Sequence, residues 1–133
     1  MTRYSLDTNI CIGFLNGDQS IVAALRALEP KNVVVCTVVR AELYFGARNS
    51  ARIEKNLNSL SAFLAPLQAT SFDEESAIEY GIIRFELEHR GTTIGSNDLL
   101  IAAITKRNDD VLVTRNDREF LRVRGLRVET WRD

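Results

Sequence analysis

The sequence has 133 residues and a formal net charge of -1 at pH 7, and 45% of its residues are hydrophobic. That length is enough for one domain, spanning residues 1–133, to form a core without disulfides or structural metal. The charge balance excludes a protein that coats nucleic acid by neutralising phosphates along its whole surface. The one histidine, His89, excludes a ribonuclease that works with a pair of imidazoles and argues against a zinc site.

The two cysteines and the apolar runs indicate the cellular compartment of the protein. Cys11 and Cys36 lie in apolar segments without a close-spaced partner, which is typical of buried thiols in a reducing compartment. No basic leader followed by an apolar stretch opens the sequence, and no apolar run approaches the roughly 20 residues that cross a bilayer. We therefore expect a cytoplasmic protein without a membrane segment.

The first part of the chain alternates short β-branched runs with segments of helical period, the pattern of βα units that build a parallel sheet. A first strand is predicted at residues 4–6, and a short helix at 9–16 stops at Gly17. A second helix at 20–28 precedes a strand at 33–36, which its unbroken apolar composition predicts to be buried.

The middle of the chain is predicted to be mainly helical. A helix at residues 38–46 is followed by an amphipathic one at 53–64, which Pro66 ends. Residues 67–70 are predicted to form an edge strand. A long helix then runs from about 74 to 90.

This long helix is predicted to turn one apolar stripe toward the core. The stripe consists of Ile78, Ile82 and Phe85, and Gly91 is the expected C-terminal stop. A helix at residues 96–107 and strands at 111–114 and 127–131 complete the chain. Ligands of such sheets bind beyond the carboxyl ends of the strands, so acids at those ends are candidates for a site.

Asp7 directly follows the first strand, beside the short polar residues Thr8 and Asn9. Taken alone, it is as well explained as the N-cap of the first helix. Asp117 follows the strand at residues 111–114 and has the same two interpretations, a site residue or a helix cap.

Glu42 and Asp98 are less easily explained as caps. Glu42 shares a mainly apolar helix face, where an ionised carboxylate needs a partner, a metal or a cleft; an ion pair with Arg40 is the alternative. Asp98 opens an almost wholly apolar helix that Ser96 or Asn97 can already cap. The helix dipole is expected to keep Asp98 ionised, as a metal ligand must be.

The four acids taken together indicate a functional site more strongly than any one of them does. Three of the four fall at predicted strand ends or helix starts on one side of the sheet. Carboxylates gathered there repel one another unless a cation joins them, and Mg²⁺ or Mn²⁺ prefers such oxygen ligands. That cation also offsets the charge of a phosphate and lowers the pKa of a bound water, so the pattern predicts phosphodiester hydrolysis.

Four segments occur in the order and spacing of a known family: "LDTNICI", "AELYFGA", "GSNDLLIAA" and "VLVTRNDREFLRVRGLRVETW". On these segments the chain resembles the PIN-domain ribonucleases, specifically the VapC toxins of type II toxin-antitoxin modules. The resemblance implies a single PIN domain with an α/β fold, three layers in the order α/β/α around a central, mainly parallel sheet. It also implies magnesium-dependent endonucleolytic cleavage of RNA, with Mn²⁺ as a substitute ion.

The resemblance implies roles for particular residues. The catalytic acids are Asp7, Glu42, Asp98 and Asp117. Asp7 and Asp98 are the implied metal ligands, with Asn9 and Thr114 as supporting polar residues. Many relatives carry a further acid next to Asp98, whereas Ser96 and Asn97 stand here, which leaves one or two metal ions open.

The resemblance also implies partners. They are transfer RNA, in some relatives the anticodon loop of the initiator, and a cognate VapB-like antitoxin whose basic side chain enters the acidic pocket. A homodimer within a larger toxin-antitoxin complex is expected. The apolar early helices suit either ordinary core or a dimer contact and partner groove. Their apolar residues are Ile10, Ile12, Phe14, Leu15, Ile21, Val22 and Leu25.

Two other functions fit parts of the pattern. Asp7 as the nucleophile of an aspartyl-phosphate phosphotransfer enzyme is one, but such enzymes place a second aspartate two positions later, where Asn9 stands. A non-catalytic interaction module, whose acids only cap helices, is the other. It predicts that Asp98→Asn has no effect on RNA cleavage.

Overall fold

The structure is a computed structural model and describes residues 2–131. Its strands are β1 (Tyr4–Leu6), β2 (Val33–Val34), β3 (Val111–Thr114) and β4 (Arg127–Thr130). Its α-helices are α1 (Thr8–Leu15), α2 (Gln19–Arg26), α3 (Thr37–Arg48), α4 (Ile53–Leu64), α5 (Glu74–His89), α6 (Ser96–Arg107) and α7 (Asp117–Phe120). A short 3₁₀ turn, Pro30–Asn32, leads into β2.

The four strands form one parallel sheet in the order β2-β1-β3-β4. In its register, Leu6 at the end of β1 pairs with Val113, and Thr114 at the end of β3 pairs with Thr130. Because all strands run the same way, their carboxyl ends meet at one edge. The predicted α/β fold with a central parallel sheet is confirmed, and the edge expected to carry the acids exists.

The sheet's β2 side differs from the prediction. Only Val33–Val34 of the predicted strand at residues 33–36 pairs with β1. Beyond Val34 the backbone bonds instead to the segment predicted as an edge strand, through Val35 N–H to the carbonyl of Gln68 at 2.9 Å. That segment, residues 67–70, makes one parallel bridge to Val34 and is no strand. The chain leaves the sheet early because it must turn into α3.

The core lies between the sheet and its helices. Leu6 and Leu112 on the central strands are fully buried, as are Ile101 and Ile104 on α6. Burying each such side chain stabilises the fold by about 1.5–3 kcal/mol. The burial of α6 fixes its N-terminus at the carboxyl edge of the sheet, which is where Asp98 begins its first turn.

The prediction for α5 was wrong. Ile78, Ile82 and Phe85 are 57%, 44% and 61% exposed, while Ile83 and Leu87 are the buried residues of this helix. Both sets have helical spacing, on nearly opposite faces, so periodicity cannot choose between them. Packing against α6 decides, and it leaves an apolar stripe facing outward.

Several smaller predictions are confirmed. Cys11 and Cys36 are free, buried thiols. Gly17 and Gly91 have positive φ angles of 78° and 67° at the ends of their helices, as chain reversal there requires. In the part of the chain from residue 2 to residue 131, every helix is too short or too polar to cross a bilayer.

Candidate active site

Asp7 combines both roles that its sequence suggests. One carboxylate oxygen accepts a hydrogen bond from the backbone N–H of Ile10 at 2.9 Å and caps α1. The other accepts one from the hydroxyl of Thr114 at 2.5 Å, across from β1 to the end of β3. The carboxylate is only 6% exposed. Burial raises its pKa, and the hydrogen bonds from Thr114 and Ile10 oppose that rise.

The two predicted supporting residues differ in how they reach Asp7. Thr114 holds the carboxylate directly and also accepts from the N–H of Asn116 at 3.0 Å, which ties β3 to the following loop. Asn9 contributes its backbone N–H, while its own side chain is exposed. Thr114 therefore orients the Asp7 carboxylate with its side chain, whereas Asn9 contacts that carboxylate through its backbone N–H.

Glu42 projects from α3 to the opposite wall of the site. Its carboxylate accepts hydrogen bonds from the hydroxyl of Thr8 at 2.5 Å and from the side-chain amide of Asn97 at 3.3 Å. The alternative partner, Arg40, instead donates to backbone carbonyls, including that of Val35 at 2.8 Å. The described hydrogen bonds thus hold Glu42 with the neutral donors Thr8 and Asn97.

Asp98 faces a carboxyl group that the sequence analysis did not include, that of Glu119. Burial, followed by hydrogen bonding to Glu119 and the charge of Glu119, raises the pKa of Asp98, and the charges of Glu42 and Asp7 act in the same direction. Together these effects bring that pKa to about 7. The four carboxyl groups therefore lie close enough to interact.

The start of α6 also differs from the prediction. Its N-cap is Gly95, without a side-chain cap bond, so neither Ser96 nor Asn97 caps the helix. The sequence predicted that the helix dipole keeps Asp98 ionised. Burial and the neighbouring Glu119 outweigh the dipole, because the pKa of Asp98 is raised and not lowered.

The hydrogen bond described for Asp117 joins α7 to β4. Asp117 is the first residue of α7, and its carboxylate accepts a hydrogen bond from the hydroxyl of Thr130 at 2.9 Å. Residues two apart on a helix point in different directions, so Asp117 turns toward β4 while Glu119 turns toward α6. The sequence held a signal for this difference. If a helix begins directly after Asn116, Asp117 and Glu119 lie on different faces of it, so their carboxylates point in different directions. The catalytic role of Asp117 stays a prediction.

These oxygens suit a hard cation such as Mg²⁺. Neighbouring carboxylates raise one another's pKa values, and a divalent cation between them removes that repulsion. In the side-chain positions described for residues 2–131, no group of three or more acidic, histidine or cysteine side chains is close enough to hold an ion. Hydrogen bonds from Thr114 and Thr8 hold Asp7 and Glu42 in place, so the acids have to draw closer together when an ion binds.

An apolar groove leads away from Glu42. One cavity of about 380 Å³ is lined by Glu42, Ile12 and Leu60, and a second of about 670 Å³ by Phe14 and Phe63. Leu15 and Ser59 line both cavities, which makes them one groove between α1 and α4. Among the early apolar residues, Ile10, Ile21 and Leu25 are core, whereas Ile12 and Leu15 are 41% and 36% exposed.

Known proteins resemble the chain over nearly its whole length. Residues 4–126 match the PIN domain. The chain is 38% identical over 130 residues to Ribonuclease VapC2 of Rickettsia felis, covering 96% of this chain and 97% of that protein. It is 34% identical over 131 residues to the tRNA(fMet)-specific endonuclease VapC of Salmonella typhimurium, covering 98% and 99%.

A solved structure resembles the fold as well. A chain in the crystal structure of VapBC2 from Rickettsia felis, bound to a DNA fragment from their promoter, superposes with a TM-score of 0.92 at 37% identity. The superposition covers 98% of this chain and 100% of that one. The predicted three-layer, PIN-like architecture is thereby confirmed.

Proposed function

Because the chain belongs to the PIN-domain family, among its VapC ribonucleases, we propose that it is the toxin of a toxin-antitoxin module and a magnesium-dependent endoribonuclease. One observation carries the site assignment: the carboxyl groups of Glu119, Glu42 and Asp7 all lie close enough to Asp98 to raise its pKa. Such a group of acids at the carboxyl edge of a parallel sheet suits a cation and a phosphate. The protein then acts as a single PIN domain in the cytoplasm.

Asp7, Asp98 and Glu119 are the residues that would hold the ion. When bound, Mg²⁺ or Mn²⁺ supplies positive charge that offsets the phosphate and makes a water more acidic. Thr114 keeps Asp7 directed into the site through its 2.5 Å hydrogen bond. This hydroxyl fixes the ligand before the ion arrives, which reduces the rearrangement on binding.

Glu42 is the group that orients the attacking water and accepts its proton. Thr8 and Asn97 fix both of its carboxylate oxygens, so the lone pairs point in set directions. The water oxygen bonds to phosphorus as the proton passes to Glu42, the bond from phosphorus to the leaving oxygen breaks, and solvent protonates that oxygen. The products are two shorter RNA chains.

The proposed substrate is transfer RNA, and within it the anticodon loop of the initiator. Support comes from the relative in Salmonella typhimurium that is named a tRNA(fMet)-specific endonuclease. Loops suit such an enzyme because their unstacked nucleotides reach a pocket that a duplex cannot enter.

The test uses purified protein, freed of any co-purified partner, and total transfer RNA with either Mg²⁺ or a chelator. We expect cleavage with Mg²⁺, none with chelator, and recovery when Mg²⁺ or Mn²⁺ is returned. Sequencing the new ends identifies the RNA and the bond. Cleavage that continues in chelator, or its absence with every divalent ion, contradicts the proposal.

The proposed antitoxin would bind along the groove between α1 and α4. The groove is lined mainly by apolar side chains, with Asn16, Lys55 and Asn56 among its polar residues, and it reaches Glu42. An amphipathic partner helix can bury its apolar face there. A basic side chain near its end would then reach the carboxylates and occupy the place of the cation.

The substitution Leu15→Glu tests this surface. Leu15 lines both halves of the groove, so a charge there must be desolvated when the partner binds. We expect binding of the cognate antitoxin, measured by calorimetry, to weaken about 100-fold while RNA cleavage is kept. Ile53→Glu is the matched control and should bind normally, because Ile53 is also an exposed apolar residue, 41% exposed, but lines neither half of the groove. Unchanged binding of the Leu15 variant contradicts this location.

The homodimer remains a prediction. The outward stripe of α5, formed by Ile78, Ile82 and Phe85, is an exposed apolar surface that a second copy can bury.

A further inference from the structure

Another cavity, separate from the two that form the groove, adjoins Glu42 on the side away from the groove. It is open, has a volume of about 710 Å³, and lies between α3 and the first turns of α6. Its apolar wall comes from Val38, Ala41, Phe45 and Leu100. Glu42 lies at the boundary of both cavities, so any molecule that fills this one also touches the catalytic carboxylate.

Phe45 is the most prominent group in this wall. Its side chain is 69% exposed, and among residues 2–131 no other aromatic ring packs against it. Glu42 and Phe45 are three residues apart on α3, which puts them on the same helix face. The phenyl ring therefore stands about one turn from the carboxylate, with a free face.

We propose that this cavity binds a nucleobase of the RNA substrate next to the bond that is cut, with Phe45 stacking on the base. The inference rests on the proposed function and adds the part of the substrate that is recognised. The cation would offset the phosphate at the bond that is cut, but none of the described residues that line this cavity is basic and it borders Glu42, so an uncharged part of the substrate suits it better than a phosphate. A base offers that part, because its flat face stacks on an exposed aromatic ring.

Asn97 gives the cavity a polar edge. Its amide nitrogen donates to Glu42 at 3.3 Å, and the residue is exposed, so the amide can also reach the hydrogen-bonding edge of a base. A stacked base held at this edge sets the distance from its own phosphate to Glu42. Phe45 is thus a binding residue, and its loss should affect substrate affinity more than the chemical step.

The experiment compares Phe45→Ala and Phe45→Trp with Tyr44→Ala. Tyr44 is the matched control, since it is an exposed aromatic residue on the same helix, 45% exposed, and does not line the cavity. The substrate is a short RNA stem-loop with the initiator anticodon loop, carrying 2-aminopurine in the loop. The fluorescence of this base is quenched when it stacks.

Phe45→Ala is expected to raise KM about 10-fold or more, with kcat changed by less than about threefold, and to remove the quenching on binding. Phe45→Trp should keep both the affinity and the quenching, and Tyr44→Ala should match the wild type. An equal loss in Tyr44→Ala, or normal KM and quenching in Phe45→Ala, overturns the inference.

Light scattering on the same proteins tests whether a second copy of the chain, and not a nucleobase, occupies the cavity. If Phe45→Ala converts a dimer to a monomer while quenching persists, a second copy covers the cavity and the inference is wrong. Failure of the proposed function is recognised separately, because wild type would then cut no RNA with any divalent ion. Loss of quenching in Phe45→Ala would still support the base site in that case.

Discussion

Replacing Asp98 with asparagine is expected to lower the rate of RNA cleavage at least about 1,000-fold. The carboxylate opens the buried helix α6 and faces Glu119 at the centre of the acids, so it has the most neighbours that a cation would neutralise. Asparagine keeps the size and removes the charge. Removing a single group that stabilises transition-state charge already costs about 10²–10³-fold, and a direct metal ligand should cost more. Single-turnover cleavage of transfer RNA measures the effect.

The control for Asp98→Asn is its thermal stability, which shows whether the variant is folded. In metal-free protein the pKa of Asp98 is raised to about 7, above its unfolded value, so between about pH 4 and 7 the folded state binds the extra proton. Stability contributed by that group is therefore lost as pH rises through this range. Asp98→Asn removes the dependence, and at pH 8 it should unfold at a temperature no lower than the wild type. Inactivity together with unfolding would not support a catalytic role, whereas full activity would support the non-catalytic module.

The second large effect separates Glu119 from Asp117. Glu119→Gln is expected to lower cleavage about 100-fold, because it removes the carboxylate paired with Asp98. Asp117→Asn is its matched partner, two residues away on the same short helix. It should keep cleavage within a few-fold of wild type and lose about 1 kcal/mol of stability, since its carboxylate accepts from Thr130. The same assay with a thermal melt measures both.

The opposite order of effects would contradict the geometry of α7. A strong loss in Asp117→Asn with a near-normal Glu119→Gln would restore the assignment made from the sequence resemblance. Equal strong losses would mean that both acids act in the site.

The sequence predicted the position of Asp7 and Asp98 well, for a physical reason. Strand ends and the start of a wholly buried helix are fixed by long apolar runs, which leave little choice of register. Asp7 follows such a strand, and the apolar run after Asp98 pins the first turn of α6 to the sheet edge. The supporting role of Thr114 came from the family resemblance, and the structure places its hydroxyl on Asp7 at the end of β3.

Glu119 and the face of α5 could not be predicted in this way. Which of two acids on a four-residue helix faces the site depends on the phase of that helix, and one residue changes the answer. In α5, apolar residues occupy two opposite faces, and only the contact with α6 selects Ile83 and Leu87. Local pattern fixes the helix in both cases, and tertiary packing fixes its rotation.

The binding of a divalent cation among these carboxylates can be tested with crystals of the wild type soaked in Mn²⁺ and measured at a wavelength where manganese scatters anomalously. We predict a peak with oxygen ligands from Asp7 and Asp98 at about 2.1 Å, and Glu119 beside it. The peak should be absent from crystals of Asp98→Asn. Manganese bound elsewhere, or none at this edge of the sheet at saturating concentration, would contradict the account.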